Sequence, residues 1–298
     1  MTKKNTFLLL IFCLFCLNIY SQKKEQQTFK IISYNIWNGL SEEPECRPKF
    51  IKWINEQKPD VLALEELVDI NEEKLSQLAA EYGHHYVAIV KEEGYPVGIT
   101  SRKPIQVISK NLEGFWHGML HVKTYDLDLI VTHLSPFEWK FRLQEAQLIT
   151  EYIQKHNLKN YMVMGDLNAH SPFDAEEIES HTTLKSNMEK WDKQNPQYGN
   201  TRGSRFDYSV LSKFLSTGMA DAIQMFVPAK DRMTYPAAYL NKLKWDDPSL
   251  KQCRERLDYI LVSPLLVHKC INAAVHNGQE NEGISDHYPV SLILDLEK

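Results

Sequence analysis

One pattern constrains the fold of this chain more than any other. Apolar runs that are typical of buried strands end in side chains suited to chemistry, as the runs at 29–36, 61–67, 128–134 and 161–168 show. The polar residues at or just beyond such strand ends are Asn35, Glu66, His133, Asp166, Asn168 and Asp286. Strand ends that meet at one rim are where folds of this kind place a site. The pattern therefore predicts that segments far apart in sequence converge on one site.

The order of the predicted elements indicates an α/β fold. Helical periodicity at 48–56, 71–82 and 141–156 alternates with buried strands, and most of 86–134 is predicted as strand. A polar stretch follows the strand at 161–164, with one helix predicted at 208–216. Strands at 256–262, 270–275 and 288–296 close the chain. We expect two sheets packed face to face with helices outside.

The first 21 residues have the pattern of a secretory signal peptide. Lys3 and Lys4 precede an apolar run at 7–17, and Ser21 stands before a polar, charged stretch. The apolar run is shorter than the ~20 residues that a membrane-spanning helix needs. An uncleaved N-terminal anchor is the alternative. We expect residues 1–21 to be the signal peptide, residues 22–298 to form one catalytic domain, and the protein to be periplasmic or secreted, as a monomer without a membrane span.

The negative charge of the chain argues against tight binding to long duplex DNA. Loss of Lys3 and Lys4 with the signal peptide would change the formal charge from −5 to −7. Proteins that hold duplex DNA gain affinity from counterion release through Lys and Arg, and they are usually basic. The three cysteines beyond the signal peptide have no metal-ligand spacing, so we expect core residues and at most one disulfide.

The polar residues at the strand ends suit a divalent cation. Mg²⁺ and Mn²⁺ prefer hard oxygen ligands, and the carboxylates and amides of the set offer them. His133 and His287 can add proton transfer and hydrogen bonds to a phosphoryl group. The combination indicates in-line attack of water on phosphorus, with a metal offsetting charge on the oxygens.

Five segments carry a family resemblance that spans about 29–296. They read Ser-Tyr-Asn at 33–35, Leu-Glu-Glu at 64–66, Thr-His-Leu at 132–134, Gly-Asp-Leu-Asn at 165–168 and Ser-Asp-His at 285–287, and Arg-Leu-Asp-Tyr at 256–259 precedes the last of them. In this order they resemble the endonuclease/exonuclease/phosphatase superfamily, which includes DNase I, AP endonucleases and neutral sphingomyelinases. The resemblance implies a four-layered α/β/β/α sandwich with two mainly antiparallel sheets. It also implies a phosphoesterase that depends on Mg²⁺ or Mn²⁺.

The resemblance also implies a role for each residue. Asn35, Glu66 and Asp286 would bind the metal, whereas His133, Asp166, Asn168, Asp258 and His287 would be catalytic. In the family a Gln precedes the metal-binding glutamate, and here Glu65 stands in its place. Alternation along a strand brings only one of the two acids to the site, and we favour Glu66. Asp258 would pair with His287 and fix its tautomer.

Fold and motifs do not choose the substrate within the superfamily. A phosphodiesterase with a nucleic-acid substrate is slightly favoured, and a phospholipid or sphingomyelin headgroup or a phosphomonoester is the alternative. The segment 201–251 is rich in Met and aromatic residues interleaved with Lys and Arg. It is either a substrate-selecting surface or a cover for the sheet edge. A non-catalytic relative that binds phosphorylated ligands is a remote alternative, because both histidines and all the acids are present.

Overall fold

Two six-stranded sheets form the centre of the molecule. The structure is a computed structural model that describes residues 28–298, and the predicted signal peptide lies outside the described residues. The strands are β1 (Thr28–Asn35), β2 (Val61–Glu65), β3 (Tyr86–Ile89), β4 (Gly98–Ser101), β5 (Gln106–Asn111), β6 (Met119–Thr124), β7 (Leu127–Thr132), β8 (Tyr161–Asp166), β9 (Ala220–Asp221), β10 (Asp258–Val262), β11 (Cys270–Val275) and β12 (Val290–Asp295). The first sheet has the order β11-β12-β1-β2-β4-β3, and the second has the order β5-β6-β7-β8-β10-β9.

Most neighbouring strands are antiparallel, as the resemblance implied. The exceptions among the paired strands are β1 with β2 and β7 with β8, which are parallel.

The helices are α1 (Trp37–Leu40), α2 (Cys46–Gln57), α3 (Glu72–Ala80), α4 (Trp139–Lys155), α5 (Ala175–Glu179), α6 (Thr182–Gln194), α7 (Ser209–Leu215) and α8 (Ala222–Phe226). Short 3₁₀ turns lie at Pro172–Asp174, Pro196–Tyr198, Ala229–Asp231, Pro248–Gln252, Pro264–Lys269 and Gln279–Asn281.

Alternation along the strands builds the layers. In β1, Ile31 packs into the core between the two sheets, whereas Ile32 packs into the core under α2 and α3. In β10, Ile260 faces the same central core, whereas Leu261 faces the core under α4 and α7. Phe50 of α2 belongs to one of these outer cores. Each sheet is therefore covered by helices on its outer face, and the predicted four-layered sandwich is confirmed.

The polar stretch after β8 contains more helix than the sequence predicted. We expected one helix at 208–216, and the structure adds α5 and α6 before it. Only Leu184 of α6 is buried, so this helix lacks the apolar stripe on which periodicity analysis depends.

The segment 201–251 covers the edge of the second sheet, and its role in substrate selection stays a prediction. Its helix α7 packs into the core outside the second sheet, and β9, at Ala220 and Asp221, extends the edge of that sheet beside β10. Tyr235 from the same segment lines the cleft described below.

In the region 28–298, no helix is long and apolar enough to cross a membrane. Cys46, Cys253 and Cys270 are free.

Candidate active site

The predicted site residues come together at one cleft of about 520 Å³. Six of the eight line the cleft, namely Glu66, His133, Asp166, Asn168, Asp286 and His287. Asn35 and Asp258 lie behind this surface and hydrogen-bond to residues that line it. The structure thus brings all eight predicted residues into one cluster.

Strand register explains why these residues meet. In the parallel pair β1–β2, Asn35 lies beside Glu65, so Glu66 stands one residue beyond the strand end. In the antiparallel pair β8–β10, Asp166 lies directly opposite Asp258. Glu66 and Asn168 have φ values of 60° and 47°, in the left-handed region. Such backbone conformations in residues other than glycine concentrate at functional sites.

Asp258 orients the imidazole of His287. Its Oδ2 lies 2.9 Å from His287 Nδ1, and His287 Nε2 lies 3.7 Å from Asp166 Oδ2. Burial alone would lower the pKa of His287, but the nearby carboxylates of Asp258 and then Asp166 hold that pKa well above its usual range. His287 is therefore an imidazolium that presents Nε2 towards the cleft, the form that donates a hydrogen bond or a proton.

Asp166, Asn168 and His133 form a second hydrogen-bonded group. Asn168 Nδ2 donates to His133 Nε2 at 3.0 Å, and the Asn168 backbone N–H donates to Asp166 Oδ1 at 2.9 Å. Burial, and to a smaller extent the neighbouring histidines, lower the pKa of His133 well below its usual range. His133 is therefore neutral. Gly165 permits the close approach of β8 to β7, because a Cβ at this position would lie 1.9 Å from the Thr132 carbonyl oxygen.

Glu66 and Asp286 provide carboxylate oxygens that fit as ligands of a divalent metal. The contacts of Glu66 are to neutral donors, Asn35 Nδ2 at 3.2 Å and the Asn38 N–H at 3.1 Å. Burial raises the pKa of Asp286 to about 6, and Glu66 adds to that shift. Two carboxylates that repel each other inside a cleft are a donor set that a hard cation would hold ionised. Asn35 Oδ1 accepts the Trp37 N–H, so the ligand role of Asn35 stays a prediction.

Glu65 differs from Glu66 in its surroundings. It is fully buried behind the cleft, and Ser33 Oγ donates to its Oε1 at 3.0 Å. Burial raises the pKa of Glu65 well above its usual range, and the carboxylates of Asp258 and Asp166 add to the shift. Only Glu66 of the two adjacent acids lines the cleft.

A different triad also has potential metal-binding atoms. One ligand atom each from Asp166, Asp258 and His287 lies within 4.8 Å of the others. The His287 imidazole already bonds Asp258 through Nδ1, and Mg²⁺ prefers oxygen to nitrogen ligands. This cluster is therefore better suited to proton transfer than to holding Mg²⁺.

Several residues of the cleft escaped the sequence analysis. His117 stacks on His133 with ring centroids 4.3 Å apart, and Tyr235 lies 4.8 Å from the ring of His287. Lone histidines and tyrosines carry no sequence signal of this kind. The hairpin register could have indicated His117, because Met119 of β6 pairs with Thr132 of β7 and so brings the residues beyond both strand ends together.

The arrangement supplies hydrogen-bond donors and a proton acceptor around one small volume. His287 can donate to an anionic oxygen, and Asp166 can accept a proton from water. Asn168 and neutral His133 can position the same group through hydrogen bonds. Phosphoryl transfer requires these functions together with a site for a divalent cation.

Known proteins share the fold and the sequence pattern. The sequence profile of the Endonuclease/Exonuclease/phosphatase family matches residues 32–287. A DNA-(apurinic or apyrimidinic site) endonuclease of Dictyostelium discoideum is 24% identical over 292 residues, which cover 94% of this chain and 74% of the relative.

Solved structures show the same architecture. An AP endonuclease from Archaeoglobus fulgidus superposes with a TM-score of 0.67 at 20% identity, over 90% of this chain and 100% of the other. The 3′-5′ exonuclease NExo from Neisseria meningitidis gives 0.64 at 19% identity, over 90% and 100%. A variant of the 3′ phosphatase NExo from Neisseria, bound to a product DNA hairpin, gives 0.63 at 18% identity, over 90% and 99%. With every site residue from Asn35 to His287 inside the matched region, this chain belongs to the Endonuclease/Exonuclease/phosphatase family.

Proposed function

We propose that this chain is a divalent-metal-dependent phosphodiesterase that hydrolyses nucleic acid. The observation that carries the proposal is the cleft in which the Asp258–His287 pair and His133 face the carboxylates of Glu66 and Asp286. The named activities of its relatives, on abasic DNA and on 3′ ends, support a nucleic-acid substrate. These activities do not determine whether the substrate is single-stranded or double-stranded, or at which position it is cleaved.

Each site residue has its own role in the proposed hydrolysis. Asp166 accepts a proton from the attacking water, while Asn35 and Asn168 hold the carboxylate in place. His287 donates a hydrogen bond to a phosphoryl oxygen, and His133 and Asn168 position the phosphate. A divalent cation held by Glu66 and Asp286 would offset the negative charge on the phosphoryl oxygens.

Plasmid nicking tests the proposal directly. Purified protein is incubated with supercoiled DNA in Mg²⁺ or EDTA, beside a His287→Ala variant. We expect nicking that requires the metal and is lost in the variant. Nicking that persists in EDTA, or equal nicking by His287→Ala, would exclude the mechanism. Intact DNA under all conditions would exclude a duplex substrate, and a single-stranded oligonucleotide with the same controls would then complete the test of nuclease activity.

A phospholipid substrate is the second candidate, and one observation favours it. Leu243 and Trp245 are 39% and 40% exposed beside a second cleft, where Lys242 and Lys244 could contact lipid phosphates. Sphingomyelin and phosphatidylcholine vesicles, assayed for headgroup release, test this candidate. Release that exceeds nucleic-acid hydrolysis and falls in a Leu243→Ser, Trp245→Ser variant would support it over a nuclease.

We also propose that the protein is exported. Lys3, Lys4 and the apolar run at 7–17 support export through a cleaved signal peptide. Mass spectrometry of the protein recovered from the cells that make it is the test. A mature N-terminus near Gln22 in the exported fraction is expected, and an intact Met1 in the cytoplasm would exclude export.

A further inference from the structure

One side of the active-site cleft consists of aromatic rings that the chemistry above does not use. Tyr95, Trp116, His117 and Phe137 line the cleft, and Tyr198 contacts Phe137. We call these five residues the aromatic wall. They come from four segments: the loop after β3, the loop before β6, the loop after β7 and the 3₁₀ turn at Pro196–Tyr198.

The rings of the aromatic wall form a continuous series that starts at the catalytic group. His117 stacks on His133 at 4.3 Å and contacts Tyr95 at 5.6 Å. Trp116 and Phe137 meet edge to face at 5.0 Å, and Tyr198 follows at 4.9 Å from Phe137. The wall therefore begins beside His133, the residue proposed to position the phosphate, and extends away from it.

The outer rings of the wall are open to solvent. Trp116 is 49% exposed, Tyr95 is 44% exposed and Tyr198 is 39% exposed. Neighbouring aromatic side chains that remain exposed together are typical of surfaces that bind a ligand. Their flat faces suit a flat aromatic ligand.

The first two turns of α4 hold the wall rigid. One oxygen of Glu145 accepts the Trp116 N–H and the other accepts the Ser135 N–H, both at 2.8 Å. Arg142 donates to the Ser135 carbonyl oxygen at 3.1 Å and to Asn200 Oδ1 at 2.8 Å. Two side chains of one helix thus tie together the loops that carry Trp116, Phe137 and Tyr198. A surface fixed in this way loses little conformational entropy when a ligand binds.

Arg142 also places a positive charge at the base of the wall. It lines the cleft while it is 4% exposed, its two named hydrogen bonds are to neutral oxygens, and its Nε has no hydrogen-bond partner among the described residues. A buried guanidinium with spare donors favours an anion nearby. Aromatic faces next to a cation and a phosphoesterase centre indicate a ligand that joins an aromatic ring to a phosphate.

We propose that the aromatic wall stacks an unpaired nucleobase next to the scissile phosphate, so that the enzyme prefers single-stranded nucleic acid or frayed ends to intact duplex. The inference rests on the proposed nuclease function. A base inside a duplex is already stacked and cannot reach the wall. The acidic net charge of −5 agrees, because stacking replaces part of the phosphate contact that duplex binders obtain from many cations.

Two chromogenic diesters separate the role of the base from the chemistry. The p-nitrophenyl ester of thymidine 5′-phosphate and methyl p-nitrophenyl phosphate release the same product, and only the first carries a nucleobase. We expect wild type to show a higher kcat/KM for the thymidine ester. In Trp116→Ala the ratio of the two values should fall about 5- to 150-fold, the range of one base–aromatic stack, and Trp116→Phe should keep most of it.

Trp191→Ala is the matched control, because Trp191 is 47% exposed and does not line the cleft. Its ratio should equal that of wild type. A second measurement compares one oligonucleotide as a single strand and as a blunt duplex, and faster cleavage of the single strand is expected. Equal ratios in wild type and Trp116→Ala, or faster cleavage of the duplex, would overturn the inference and leave the nuclease proposal standing. Metal-dependent hydrolysis of vesicles that exceeds that of both diesters and both oligonucleotides would overturn both.

Discussion

The Asp258 carboxylate fixes the orientation of the His287 imidazole through one short hydrogen bond. Asp258 Oδ2 lies 2.9 Å from His287 Nδ1, while its Oδ1 is buried without a hydrogen-bond partner among the described residues. We expect Asp258→Asn to lower kcat by about 10²- to 10⁴-fold, because the amide can hold the wrong tautomer and no longer stabilises the imidazolium. Steady-state hydrolysis of a single-stranded oligonucleotide measures the effect.

The same substitution at an exposed turn controls for the chemical change. Asp126 is exposed and has a φ of 58°, which asparagine tolerates, so Asp126→Asn should keep wild-type kcat and melting temperature. A melting temperature of Asp258→Asn within a few degrees of wild type would show that the fold persists. Activity of Asp258→Asn within about threefold of wild type would exclude the orienting role.

Two adjacent acids have different surroundings, and a pair of amide substitutions separates them. Glu66→Gln should weaken Mg²⁺ or Mn²⁺ binding about tenfold or more, because it removes a carboxylate from the cleft. Glu65→Gln should leave metal affinity unchanged and raise the free energy of unfolding by about 1 kcal/mol, because it removes a buried acid whose pKa burial and the carboxylates of Asp258 and Asp166 raise well above its usual range. Calorimetric titration of the metal and urea denaturation measure the two effects. The reverse pattern would make Glu65 the ligand.

The individual residues of the site could be predicted from the sequence because each one lies at or next to an end of an apolar run and belongs to a motif. The sequence did not indicate His117, which has no motif, or Arg142, whose place in α4 resembles that of any solvent-exposed arginine. Both lie in the cleft because of how loops pack against one another. A contact between loops depends on their conformation, which no local residue pattern determines.

His84 joins three structural elements near the edge of the first sheet. Its Nδ1 lies 2.7 Å from Thr100 Oγ1 in β4, and its Nε2 lies 2.9 Å from the Pro59 carbonyl oxygen before β2. Its own segment follows α3. Burial lowers the pKa of His84 to about 4, so the folded protein keeps this histidine neutral at ordinary pH.

The buried His84 predicts a loss of stability in acid. The unfolded chain binds a proton near pH 6.5 and the folded chain binds it only near pH 4, so stability is complete above pH 6.5 and falls as the pH decreases between these values. The free energy of unfolding of wild type relative to His84→Gln should decrease by about 3 kcal/mol from pH 7.5 to pH 4. Urea denaturation at several pH values measures this difference.

His85→Gln provides the comparison at the next residue, because His85 is exposed. Its stability relative to wild type should change little with pH. If His84→Gln and wild type showed parallel stability curves over the whole pH range, His84 would not be the acid-sensitive group.

Helices and strands with strong apolar patterns were predicted well, and weakly patterned ones were not. The helix predicted at 141–156 is α4 at Trp139–Lys155, and the strand predicted at 270–275 is β11. The prediction failed for α6, which buries only Leu184 and is stabilised by contacts outside its own sequence. Its C-terminal end is held by Asp192, whose carboxylate accepts the backbone N–H groups of Asn200 and Thr201.

The strand order within the two sheets is the part of the fold that could not be predicted from residue patterns. Continuous apolar runs predict which strands are buried on both faces. They do not give the order β11-β12-β1-β2-β4-β3, in which the C-terminal strands lie beside the first. That order brings Asp286 and His287 to Asn35, whose carbonyl oxygen accepts the Ser285 hydroxyl at 2.7 Å. The family resemblance implied two packed sheets and one shared site, but the strand order comes from the structure alone.

A buried ionic network connects the long insertions to the second sheet. Arg256, which precedes β10, forms an ion pair with Asp174 at 2.6 Å and donates a hydrogen bond to Asp221 at 2.7 Å. Arg232 also contacts Asp174, at 2.8 Å. These residues belong to the turn before α5, the junction of β9 and α8, and the segment after α8. Two arginines and two aspartates thus balance their charges where four distant parts of the chain meet.

Removal of Arg256 should destabilise the whole molecule, because two carboxylates would be left buried with less compensation. We expect Arg256→Ala to lower the free energy of unfolding by about 3–5 kcal/mol, measured by urea denaturation. Arg202→Ala is the matched control, since Arg202 is 63% exposed and 3.9 Å from Asp207, and it should change stability by less than about 1 kcal/mol. Arg256 does not line the cleft, so the folded fraction of Arg256→Ala should keep metal-dependent hydrolysis. Equal losses of stability in the two variants would show that the network does not hold the insertions to the sheet.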